Sequence, residues 1–111
     1  MAAGAERPPA DAANVLTFAY TEGMPPRPAL ILRERGETFR FYYDRNAPNV
    51  LHITHRHGTT PREAIDTFFG GVTGPYDAAR RRFATYTATR GLYWARHAHD
   101  NSVVVISCFV V

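Results

Sequence analysis

Between Ala29 and Asp44 apolar and polar residues alternate. "ALILRER" and "TFRFYYD" flank Gly36-Glu37, and in the second run Phe39, Phe41 and Tyr43 are separated by Arg40 and Tyr42. A period of two sends one set of side chains to a core and the other to solvent, so the pair predicts a hairpin of two half-buried strands around a short turn. Upstream, "VLTFAY" (15–20) predicts another strand. "TEGMPPRP" predicts a loop, because its three prolines and one glycine cannot sustain a ladder. Residues 1–14 are Ala/Pro-rich and unpatterned, and they read as a disordered tail, leaving 15–111 as a single α+β domain.

Beyond Asp44 the period changes. "RNAPNVLHITHRHG" supports two readings. Val50, Ile53 and Thr54 are β-branched and favour a strand. Asn46 as an N-cap, Pro48 in a first turn and Gly58 at a stop favour a helix. The next segment is clearer: Thr60 caps a helix, Pro61 takes its first position, and Glu63 completes a capping box. Ala64, Ile65, Phe68 and Phe69 form one apolar stripe, and Gly70-Gly71 ends it. "VTGPYDAARRRF" reads as a turn entering a short helix or basic loop. Three runs of strand character follow, "FATYTAT", "LYWARHAH" and "VVVISCFVV", parted at Arg90-Gly91 and at Asp100-Asn101-Ser102. The order predicts an α+β fold: an antiparallel sheet of four to six strands with one or two helices packed on one face. The uncharged last strand must be central or lie at a dimer edge.

Composition narrows the classes. The chain of 111 residues is 45% hydrophobic and rich in aromatics, enough for a small core. All thirteen strong cations are Arg, with a net charge of +3. Guanidinium forks suit phosphate and carboxylate, although a genome biased to Arg codons produces the same count. A single cysteine, Cys108, excludes an internal disulfide framework and a thiolate zinc site. It reads as a small buried apolar residue in a reducing, cytoplasmic setting. No stretch has the apolar core of a secretory signal, and "VVVISCFVV" at nine residues is too short to span a membrane.

Two segments carry a resemblance. "NVLHITHRHGTTPREAIDTFFGG" resembles the His-Gly-centred region of BrnT-like toxins, in which a helix ends at a basic-His-Gly triplet and a capped acidic helix follows. "RFATYTATRGLYWARHAHDNSVVVISCF" is similar to their closing meander, and Tyr43-Asp44 in "FRFYYD" to the aromatic-Asp pair of their opening strand. The resemblance spans roughly residues 39–109. It implies a RelE-type fold and metal-independent cleavage of mRNA, free or ribosome-bound, with no cofactor and with a cognate antitoxin as partner. The family strand ends in Ala-Arg where this chain has Cys108-Phe109, a loss that removes a phosphate contact, so the alternative is an inactive relative.

The residue chemistry supplies candidates for that activity. His57 beside Gly58 suits acid–base work, or else shapes a helix end. Alternation along "LYWARHAHD" puts Tyr93, Ala95, His97 and His99 on one face and Leu92, Trp94, Arg96 and Ala98 on the other. On this reading Arg82 and Arg96 hold the scissile phosphate, His57 and His97 share proton transfer, and Tyr93 stacks on a base; a plainly solvated sheet face is the rival. Arg80, Arg81 and Arg82, with Arg90 at a hairpin tip, form the nucleic-acid contacts, or else complement a helix end. Two other functions fit the composition. One is a non-enzymatic module that binds protein or nucleic acid, or dimerises through its last strand. The other is a divalent-metal site built from His55, His57, His97 and His99, although Glu63 is already used by the capping box.

Overall fold

The computed structural model describes residues 27–111. The expected tail and the strand at 15–20 lie outside them. Strands β1 (Leu30–Glu34) and β2 (Glu37–Phe41) form the first hairpin. Its turn is Arg35-Gly36, one residue earlier than expected. Both residues have positive φ (50° and 81°), as the tight two-residue hairpin turn that matches strand twist requires.

The ambiguous segment resolves as helix, but starts later than Asn46. Helix α1 spans His52–His57, with Leu51 before it contributing no side-chain cap. Asn46 lies instead in the loop, its N–H donated to Asp44 Oδ2 at 2.9 Å. Gly58, left-handed at φ 68°, ends the helix. Helix α2 spans Pro61–Gly70 with the expected box: Thr60 Oγ accepts from the Glu63 N–H, and Glu63 Oε1 accepts from the Thr60 N–H. A two-residue β3 (Val72–Thr73) follows, then β4 (Phe83–Tyr86), β5 (Arg90–Arg96) and β6 (Val103–Val110). Arg90 and Gly91 therefore belong to β5, and residues 87–89 make the turn before it.

The six strands form one sheet in the order β1-β2-β6-β5-β4-β3. Every pairing is antiparallel except β2 with β6, which run parallel through Phe39–Val103 and Arg40–Val104. That parallel pair departs from the all-antiparallel expectation. Two helices and three strands separate β2 from β6 in sequence, ample chain for the crossover that a parallel pair requires. The last strand is thus central at its start, through Val103 and Val104, rather than an outer edge.

One face of the sheet holds the core. Phe39, Phe41, Leu92, Trp94, Val103, Val105 and Cys108 pack there against Ile53 of α1 and Ala64 and Ile65 of α2. Phe68 and Phe69 of α2 meet the Phe39 ring edge-on at 5.2 and 5.8 Å, and Phe83 stacks on Trp94 at 4.5 Å. Among the described residues no helix is long and apolar enough to cross a membrane. Both helices pack on that face; on the opposite face Ala95 and Val104 are buried as well, whereas Tyr86 is exposed.

Candidate functional site

The face opposite the helices carries Ala84 and Tyr86 of β4 opposite Tyr93 and Gly91 of β5. Arg82 precedes β4 and lies across this face, its guanidinium carbon 3.6 Å from the centroid of the Tyr93 ring. The Tyr93 and Tyr86 hydroxyls are 3.4 Å apart. Phe109 of β6 completes the cluster, its ring 4.9 Å from Tyr93 and 6.4 Å from Tyr86. His57, the last residue of α1, sets its exposed ring 5.8 Å from Phe109. Residues from three distant parts of the chain therefore meet at one patch.

Local structure explains each position. Asp77 and Arg82 exchange backbone hydrogen bonds (2.9 and 3.2 Å), closing a small loop just before β4. Inside it Asp77 accepts from the Arg80 N–H at 3.1 Å and from its guanidinium at 3.0 Å, which hold the Asp77 carboxyl below the usual range. Arg81 takes a positive φ of 57° to complete the loop. The acid therefore goes to Arg80, and Arg82 has no acidic partner among the described residues.

Phe109 reaches the patch through a bulge. Tyr93 pairs with Ser107 but Trp94 pairs with Val105, so Ile106 is an extra residue in β6. Without it, strict alternation from Val103 would send Phe109 towards the helices. With it, Cys108 enters the core and Phe109 turns to the opposite face. Gly91 makes room. A Cβ at Gly91 would lie 2.5 Å from Phe109 Cε2 and 2.8 Å from Tyr86 Cε1.

The neighbouring Tyr93 hydroxyl and desolvation push the Tyr86 phenol above its ordinary value, with Arg82 opposing. At neutral pH it is a neutral hydroxyl. Tyr86 was not anticipated as a site residue, though alternation within "FATY" opposite Tyr93 was a usable signal. Phe109 could not be found that way, because the bulge is invisible to a period of two.

The other sequence candidates lie elsewhere. Arg96 is on the helix-covered face, over the Trp94 ring, with a two-pronged bond to Glu37 at 2.6 and 3.2 Å. Arg90 is also on that face, bonded to Glu63 of α2 at 2.8 Å. His97 follows the end of β5, so the strand alternation stops at Arg96 and reaches neither His97 nor His99. Four residues from Tyr93, His97 is about 13 Å away at roughly 3.3 Å per residue. It sits in the turn to β6, where its Nδ1 accepts from the His99 N–H at 3.2 Å. Burial lowers its pKa, aided by Arg40 and His99 and opposed by Asp100, which favours the neutral ring.

A second group surrounds Asp44. This carboxylate is only 3% exposed, and its Oδ1 bonds His52 Nδ1 at 2.7 Å while Oδ2 lies 3.8 Å from His55 Nε2. Burial works to raise the Asp44 carboxyl, but the Asn46 N–H and the two histidines outweigh it and hold it low. The arrangement ties α1 to the end of the first hairpin. Among the described residues no three or more His, Cys, Asp or Glu side chains are grouped to hold a metal ion. Comparison of the chain with family models, with curated proteins and with solved structures finds no match in any of the three.

Proposed function

We propose that the patch around Arg82, Tyr86 and Tyr93 binds single-stranded RNA and cleaves it without a metal, as the resemblance to BrnT-like toxins implies. The observation that carries this reading is Arg82, a guanidinium without an acid among the described residues, held on Tyr93 beside Phe109, against which the His57 ring also lies. Metal-free RNA cleavage needs a group to take the 2′-hydroxyl proton and a positive charge at the phosphate. His57 accepts that proton as the 2′-oxygen attacks phosphorus. The bond to the 5′-oxygen breaks, water protonates the leaving oxygen, and a 2′,3′-cyclic phosphate remains. Arg82 carries the charge that builds on the phosphoryl oxygens. A cognate antitoxin would act by covering this patch.

The alternative is a module that binds RNA through the same patch and does not cut it. Phe109 favours it, since an aromatic ring stands where the resembled family has its last arginine. The test is incubation of purified protein with end-labelled single-stranded RNA in excess chelator. Cleavage to cyclic-phosphate ends that is lost in both His57→Ala and Arg82→Ala supports the nuclease. Binding without cleavage by folded protein selects the module, and loss of cleavage in chelator alone removes the metal-free mechanism.

A further inference from the structure

Resting on that reading of the patch, we infer that Arg82, Tyr93 and Tyr86 form one nucleotide subsite with divided roles. Tyr93 is a positioning residue that holds Arg82, and Tyr86 is the ring on which a base stacks. This reverses the sequence-based expectation, in which Tyr93 met the base.

The geometry assigns the roles. A ring stacks on a base only through an open face, and the Arg82 guanidinium occupies one face of Tyr93 at 3.6 Å. The Phe109 ring crowds Tyr93 at 4.9 Å as well. Tyr86 is 44% exposed, and Gly91 beside it adds no side chain to shield it. Its hydroxyl lies 3.4 Å from that of Tyr93, the ring that carries the cation.

A guanidinium stacked on an aromatic ring keeps its N–H edge free for a phosphate oxygen, and the stack restricts its rotamers before the ligand arrives. A phosphate on Arg82 and a base on Tyr86 match the phosphate-then-base order of a single strand. A duplex keeps its bases stacked on each other and cannot offer one to Tyr86. The class of ligand is therefore an unpaired strand, read by charge and stacking rather than by base edges.

The test is fluorescence anisotropy with a labelled 2′-O-methyl oligouridine, which lacks the 2′-hydroxyl and cannot be cleaved, titrated at several salt concentrations. Thermal melts establish that each variant is folded. Arg82→Ala should lower the slope of log affinity against log salt by about 0.7, the value for one phosphate on a single strand. Tyr93→Leu should lower it by the same amount although no charge is removed, and Tyr93→Phe should restore it. Tyr86→Leu should weaken binding by roughly tenfold at unchanged slope. A Tyr93→Leu variant with the wild-type slope overturns the positioning role, and a Tyr86→Leu variant that binds like wild type overturns the stacking role. No binding by the folded wild-type protein overturns the RNA reading and the subsite with it. Binding without cleavage of ordinary RNA overturns only the nuclease.

Discussion

The hydroxyl of Thr59 lies 2.8 Å from the carbonyl oxygen of Cys108 and 3.0 Å from that of Ile53. Beyond Val104, β6 has no strand partner on its β2 side among the described residues, and the carbonyls along that edge need donors from elsewhere. Thr59, in the link between α1 and α2 and 1% exposed, supplies one. A single hydroxyl proton serves two acceptors, so the link is held to the sheet and to α1 together. Thr59→Val keeps the shape and removes the donor. It should destabilise the protein by about 1–3 kcal/mol in urea unfolding, with Thr59→Ser retaining more of the bond. Equal stability of the Val variant would show that water satisfies both carbonyls.

Elements defined by local chemistry were legible in the sequence, whereas those defined by pairing were not. Thr60, Pro61 and Glu63 carry the start of α2 within four residues. The alternation around Phe39 and Phe41 likewise carries β2. The β2–β6 parallel contact and the Ile106 bulge depend on residues about sixty apart and on a one-residue register shift, neither of which leaves a periodic trace. The same limit applies to the site. His57, Arg82 and Tyr93 were identifiable by residue type, but Arg96 and Arg90 were equally basic. Only the tertiary fold commits those two to Glu37 and Glu63.

Arg96 offers a direct contrast with Arg82. Its fork on Glu37 joins the end of β5 to the start of β2 on the helix-covered face. Both side chains are partly exposed, so the pair should contribute only about 0.5–1.5 kcal/mol. Arg96→Leu should lower the melting temperature by several degrees and leave both RNA cleavage and the salt slope of binding as in wild type. A reduced slope would return Arg96 to the phosphate contacts.

Acid should loosen the β5–β6 turn through Asp100. Burial acts to raise its carboxyl, but the Ser102 hydroxyl and N–H and the Arg40 guanidinium hold it far below the usual carboxylate range. A carboxyl depressed in the folded state contributes stability above its unfolded value, about 3.9, and loses it as pH falls towards the folded value. Asp100→Asn should therefore lower stability at pH 7 and flatten its decline below about pH 4. Because Asp100 is partly exposed, the gain is screened, and a loss of about 1 kcal/mol at neutral pH is expected. Parallel acid limbs for the two proteins, measured by urea unfolding at pH 2–7, would remove Asp100 from the turn's acid response.

Gly91 couples the strand to the aromatic patch. A methyl group there would come within 2.5 and 2.6 Å of the Phe109 ring and 2.8 Å of the Tyr86 ring, so both must move or the sheet must yield. Gly91 does not have a positive φ, so the penalty in Gly91→Ala is packing alone. It should cost about 1–3 kcal/mol and lower RNA affinity by displacing Tyr86. Phe109→Ala alone should also destabilise, by removing the contacts with Tyr93 and His57. Combined, the two changes should cost less than their sum, because the space left by Phe109 accommodates the new methyl. A double-mutant cycle in urea decides it. Strict additivity would mean that the strain at Gly91 falls on Tyr86 or the backbone, and that Phe109 is not confined by the glycine.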